Sequence, residues 1–134
     1  MKILVGIDVQ PISEVQESLT KYGTRYAHRL FTDHELSSCG DNPLSSAQWL
    51  AGRFAVKEAV LKILDVKEVV PSWKEIEVRR TETGRPEIAL SGEAAAIARR
   101  KGIKQMSLSL SHAGDTASAT VIAKVSSHRF GVAR

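Results

Sequence analysis

The run from Ser45 to Leu64 constrains the fold of this chain more than any other stretch. It is rich in Ala, Leu, Lys and Glu, lacks Pro, and has only Gly52 as an interior weak point, so it reads as helix. Ser45 or Ser46, just after Pro43, is placed to cap its start. At about 100° per residue, Leu50, Phe54, Leu61 and Leu64 form one stripe. Ala51, Ala55, Val56, Ala59 and Ile63 make most of the remaining surface apolar too. A helix apolar nearly all round is a buried helix. Yet Arg53, Lys57, Glu58 and Lys62 interrupt it, and such groups are rarely buried unless paired or bound to a metal. Two readings stand. In one, Glu58 and Lys62 form an exposed (i, i+4) pair worth roughly 0.2–0.5 kcal/mol. In the other, a polar pocket opens on a buried helix, where one carboxylate and several cations face an anionic ligand. A carboxylate tolerates a nearby phosphate when a divalent cation sits between them.

A chain of 134 residues, 43% apolar and 25% charged, suits one domain with a real core. We expect that domain over residues 1–125 and a frayed tail over 126–134. No apolar run approaches the roughly 20 residues that span a bilayer. The start reaches Asp8 too soon for a signal peptide. Cys39 is the only cysteine, which leaves no internal disulfide and fits a reducing cytoplasm. The net charge of +4 favours acidic partners without choosing among them. Aromatics are only 5% and no nucleic-acid motif occurs, so a nucleic-acid-binding role has little support.

Lys2 to Ile7 reads as a strand ending in Asp8. Asp8 is either a turn or capping residue or a metal ligand on a rigid strand end. Pro11 opens a helix carried by Ile12, Val15 and Leu19 and stopped by Gly23. A second helical piece runs from about Thr24 to Phe31, and Thr32 to Glu35 has the spacing of a capping box. Residues 37–43 form a loop, in which Cys39 has no base near it in sequence. Asp65 to Ser72 is irregular; Ile76 to Arg79 alternates as a strand and pairs, across a turn at 81–86, with Glu87 to Leu90. Ser91 to Lys101 is helical, its final basic residues complementing the helix dipole.

Met106 to His112 alternates strictly, and Thr116 to Val125 returns as a strand. Ser107, Ser109 and Ser111 therefore share a face on which a ligand or another subunit could lie. His112, at the strand's end, is a surface or hydrogen-bonded histidine, or a ligand contact. Helices mixed with hairpin-connected strands give an α+β domain. The absence of a G-x-G-x-x-G after the first strand, and of a P-loop motif anywhere, excludes those two nucleotide folds.

Three separated pieces form one pattern: Gly6-Ile7-Asp8, then Arg53-Phe54-Ala55-x-Lys57-Glu58-Ala59-x-x-Lys62, then Ser109-Leu110-Ser111-His112 before an alanine-rich final strand. In that order they closely resemble the holo-acyl-carrier-protein synthases, the small 4′-phosphopantetheinyl transferases. Gly84-Arg85-Pro86 matches the family's G-[KR]-P turn, and the likeness runs from about Lys2 to Val125. The resemblance implies a mostly antiparallel sheet wrapped around a long buried central helix. It implies transfer of the phosphopantetheine arm of coenzyme A to a serine of an acidic apo acyl carrier protein, releasing adenosine 3′,5′-bisphosphate. Mg²⁺ is implied as cofactor, and a homotrimer with active sites between subunits as the assembly.

On the matching positions, Asp8 and Glu58 become metal ligands, and Lys62 stabilises charge on the departing phosphate. Arg53 and Lys57 become anion-side contacts, with Lys57 alternatively a buried ion-pair partner. Gly84, Arg85, Pro86, Ser111 and His112 would border the coenzyme. Glu58, or a metal-bound water, would take the serine proton. Two departures stand out. Ile63-Leu64-Asp65-Val66-Lys67 replaces the usual Gly-Thr-Gly turn, and Glu14 replaces a carrier-gripping arginine, which leaves Arg25 and Arg29. A shifted docking surface follows, and with it a non-standard carrier such as one from a polyketide or multi-domain synthase. The rival reading is a catalytically silent module that binds coenzyme A or a nucleotide.

Overall fold

The computed structural model describes residues 2–126; the proposed tail beyond Ser126 lies outside the described residues. In chain order the elements are β1 (Lys2–Pro11), α1 (Ile12–Tyr22), α2 (Thr24–Leu30), α3 (Asp33–Ser37) and α4 (Pro43–Leu64). A 3₁₀ turn (Trp73–Glu75), β2 (Ile76–Arg80), β3 (Pro86–Leu90), α5 (Gly92–Arg100), β4 (Ile103–Ala113) and β5 (Thr116–Val125) complete it. All strand pairing is antiparallel and falls into two sheets, one ordered β1-β5-β4 and one made of β2 and β3. The fold class is α+β.

The central helix is buried as its composition requires. Leu50, Val56, Val60 and Leu64 are at most 2% exposed, each contributing about 1.5–3 kcal/mol by leaving water. Two clusters surround it: one toward β5, β2 and α5, the other toward α1 and α2. The helix begins two residues before the expected start. Asn42, not Ser45 or Ser46, is the cap, its side chain accepting from the N–H groups of Leu44 and Ser45 at 3.1 Å each. Pro43 occupies the first helical turn, where its missing N–H costs nothing.

β1 runs past Asp8 to Pro11, so Asp8 sits inside a strand and not at its end. Pro11 offers no cap to α1. Asp115, from the β4–β5 turn, supplies one instead: its carboxylate accepts from Ser13 N and Ser13 Oγ at 2.8 and 2.6 Å. The capping box at Thr32 and Glu35 forms as its spacing predicts. The basic end of α5 does more than complement its own dipole. Lys101 Nζ donates to Leu64 O and Asp65 O, closing the C-terminus of α4, where Asp65 takes a left-handed φ of 50°.

β1 and α4 touch backbone to backbone at Gly6. A Cβ built there would collide with the carbonyl oxygen of Ala59. The φ of Gly6 is not left-handed, so the requirement is space alone. Because the obstruction is backbone, no rotamer change relieves it. Gly6→Ala is expected to cost roughly 1–3 kcal/mol through forced separation of strand and helix. Urea denaturation measures this, and an unchanged midpoint would refute it.

Candidate active site

Gly6 brings β1 and α4 close enough for their acidic residues to converge two residues further along the strand. The inner face of β1 carries Gly6 and Asp8, while Ile7 and Val9 point outward. Asp8 is held from both sides. Gln10 Nε2 donates to its Oδ2 at 2.8 Å, and Lys62 Nζ reaches its Oδ1 at 3.3 Å. Lys62 also donates to Ile7 O at 2.7 Å on the free edge of β1. The helical (i, i+4) pairing of Glu58 with Lys62 is thus not the contact that forms; the lysine crosses to the strand.

Glu58 is half-buried on α4, one turn before Lys62. Burial pushes its carboxyl above the usual range, the charge of Asp8 pushes the same way, and Lys62 opposes them. Two carboxylates close enough to repel, with one lysine between them and Asp8 only 14% exposed at its side chain, form a site short of positive charge. Among the described residues no group of three or more His, Cys, Asp or Glu side chains could enclose a metal. A pair of hard oxygen ligands fits Mg²⁺, which keeps waters and substrate phosphates in its remaining positions.

A separate cleft of about 560 Å³ opens on the other side of α4. Trp49, Gly52 and Arg53 line it from α4, Arg80, Arg85 and Pro86 from the β2–β3 hairpin, and Ser111 and His112 from β4. Arg53 is 6% exposed, lies 3.7 Å over the Trp49 ring, and its buried Nε has no hydrogen-bond partner. Burial foremost, then Arg80, pushes its guanidinium down to about 10, against the pull of Glu35. A desolvated cation with an orphan donor, facing two further arginines, is built to receive an anion. Gly84 stands behind this wall rather than in it. Its φ of 86° makes the hairpin turn, and its carbonyl accepts from Arg80 Nη1 at 2.8 Å.

Of the two readings of Lys57, an anion-side contact or a buried ion-pair partner, the structure shows the second. It is fully buried, outside the cleft lining, and its ammonium binds Glu35 at 2.9 Å. Helical geometry turns it inward, away from the cleft that Arg53 lines. Arg25 and Arg29 lie exposed on α2, as does Glu14 on α1. The sequence reading missed Glu35 as Lys57's partner, and missed Trp49, Arg80 and Gln10. Trp49, four residues before Arg53, was the one detectable at helical spacing; the others depend on strand register and tertiary contact.

The residues 4–121 match the model of the 4′-phosphopantetheinyl transferase superfamily. The chain belongs to that family. It is 37% identical over 127 residues to the holo-[acyl-carrier-protein] synthase of Herpetosiphon aurantiacus, covering 90% of this chain and 97% of the relative. To the synthase of the same name from Dehalococcoides mccartyi it is 40% identical over 122 residues, covering 91% and 98%. The crystal structure of the Helicobacter pylori holo-[acyl-carrier-protein] synthase in complex with coenzyme A superposes with a TM-score of 0.76 at 28% identity, covering 90% of this chain and all of that one.

A carboxyl whose proton is held more tightly in the folded than in the unfolded chain loses stability as pH rises from glutamate's ordinary range through the raised value. Above the ordinary glutamate range, folding therefore works against the ionisation of Glu58. Glu58→Gln is expected to unfold at an equal or higher temperature than the parent at pH 7. Asp8→Asn should move the Glu58 titration, followed by carboxyl-carbon NMR, to lower pH. A lower melting point for the first, or an unmoved titration for the second, would contradict the repulsion.

Proposed function

We propose that this chain transfers the 4′-phosphopantetheine arm of coenzyme A to a serine of an apo acyl carrier protein, releasing adenosine 3′,5′-bisphosphate. The observation that carries the reading is the meeting of Asp8, Glu58 and Lys62 from two elements at the Gly6 contact. Asp8 and Glu58 would hold Mg²⁺, which, when bound, neutralises the diphosphate and draws charge from the leaving oxygen. The serine Oγ attacks the phosphorus bearing pantetheine, and the bond from that phosphorus to the bridging oxygen breaks. The bisphosphate departs with the bridging oxygen and its electron pair. Glu58, whose proton affinity burial and the charge of Asp8 raise, takes the serine proton. Lys62, anchored on Ile7 O, presents its charge to the departing phosphate. Arg53 and Arg85, with Ser111 and His112, line the cleft for the nucleotide end, and Gly84 and Pro86 shape its hairpin wall.

Asp8 lies on β1 and the Ser111–His112 wall of the cleft on β4, with β5 between them, so about 10 Å of sheet separates the two. The outward face of that sheet carries Ile3, Val5, Ile7, Val9 and Ile122, all 44–63% exposed. An uncovered apolar sheet face is an association surface. Both features support a homotrimer in which the acids of one copy complete the cleft of the next, as a ring of head-to-tail contacts allows. Arg25 and Arg29 would meet the acidic carrier, whether from a fatty-acid or a polyketide system. No helix among the described residues is long and apolar enough to cross a membrane. A cytoplasmic setting fits the single free thiol of Cys39.

Intact-protein mass spectrometry tests the reading. Apo carrier protein, coenzyme A and Mg²⁺ should give a mass gain of one phosphopantetheine arm, abolished by EDTA and by Glu58→Gln. A Glu58→Gln variant with near-parental turnover would remove Glu58 from the mechanism. Binding of coenzyme A without any mass gain on fatty-acid or polyketide carriers would favour the silent-module reading. In the same assay the Arg25→Glu/Arg29→Glu variant should slow transfer in a salt-dependent way. Equal rates would move the docking surface elsewhere.

A further inference from the structure

The fully buried Lys57–Glu35 pair makes no direct contribution to either half of the site, yet every polar atom it owns is engaged. Lys57 Nζ donates to Glu35 Oε1 at 2.9 Å, Trp73 O at 3.1 Å and Ile76 O at 2.5 Å, which exhausts its three protons. Glu35 Oε1 also accepts from Thr32 N at 3.0 Å, and its Oε2 accepts from Val78 N at 2.8 Å. Two of these partners, Ile76 O and Val78 N, lie along the edge of β2 that β3 does not cover, and Trp73 O lies on the 3₁₀ turn that leads into it. The ion pair thus binds the strand edge as a neighbouring strand would.

Position along the chain links this clamp to the cleft. Arg53 lies one helical turn before Lys57, and Arg80 lies two residues beyond Val78 on the clamped strand. Arg85 stands across the turn from Arg80, and all three arginines line the cleft. Stability alone does not explain burying two charges here. Replacing such a pair with apolar groups of similar volume is often neutral or stabilising. What apolar groups cannot do is hold a carbonyl and an N–H of an open strand edge, and a carbonyl of the turn before it, at a set distance from a helix. The carboxylate of Glu35 also attracts Arg53, countering the repulsion from Arg80.

We infer that the Lys57–Glu35 pair is a positioning device that sets the separation of Arg53 from Arg80 and Arg85, and so the grip of the cleft on the phosphorylated nucleotide end of the coenzyme. This rests on the cleft being the coenzyme site, as proposed above. The chemistry at Asp8, Glu58 and Lys62 lies on the other side of α4 and does not depend on the clamp.

The test is a Glu35→Leu/Lys57→Met double variant of the full chain, checked for a cooperative melt. Its dissociation constant for adenosine 3′,5′-bisphosphate, read by calorimetry, should rise about tenfold, and KM for coenzyme A with it, while kcat stays within about twofold. A folded double variant that binds like the parent overturns the inference, as does an equal fall in kcat with KM unchanged. Glu35→Gln keeps the size and one acceptor oxygen, and serves the same reading should the double variant not fold: weaker binding supports the clamp, unchanged binding overturns it. Failure of the unsubstituted protein to bind the bisphosphate at all would overturn the coenzyme-site reading, and the inference with it.

Discussion

The contact between Gly6 on β1 and the backbone of Ala59 on α4 lets a helix with almost no polar face lie directly on a sheet. Side chains normally hold such layers about 10 Å apart. Here one position lacks a side chain, and the layers meet at their backbones. The approach has a chemical consequence two residues along the strand and one residue back along the helix. Asp8 and Glu58, on separate elements, come near enough for Glu58 to feel the charge of Asp8. The fold supplies the free energy that holds those like charges together, through the buried leucines, valines and alanines of α4 and β5. A cation between two such carboxylates relieves their repulsion.

The central helix serves three environments with three faces. Toward β1 it presents Glu58 and Lys62, and toward the hairpin and β4 it presents Gly52 and Arg53. In between, Lys57 enters the interior and ties the helix to α3 and β2. This is why the helix is apolar nearly all round and charged at four places at once. Each of the three cations has a different surrounding: a strand carboxylate for Lys62, an open cleft for Arg53, a buried glutamate for Lys57. The acids and the arginine cleft lie on opposite sides of the helix within one chain, while the outward sheet face stays apolar and exposed.

Much of the fold was legible because its elements follow local rules. The 3.6-residue pattern of α4, the strict alternation of β4, the capping box at Thr32 and the left-handed Gly84 turn each need only neighbouring residues. One error is local: Asn42 caps α4 because Pro43 already sits in its first turn, ahead of the serines. The others arise where a distant residue or strand overrides a local signal. Asp115, over a hundred positions away, caps α1. Asp8 appeared to end a strand, yet pairing opposite β5 carries the strand on to Pro11.

The sequence by itself determined which residue types stand at which intervals: an aspartate two residues after a glycine, a helix motif of fixed charge spacing, and a Ser-His strand end. Their residue types and intervals are one-dimensional facts. Tertiary structure alone decided their groupings. It turned Lys57 inward to Glu35, sent Lys62 to Asp8 instead of Glu58, and added Trp49 and Arg80 to the arginine cleft. The reason is that burial and pairing depend on which surfaces meet, and spacing along one element cannot say which residue of another element will stand opposite.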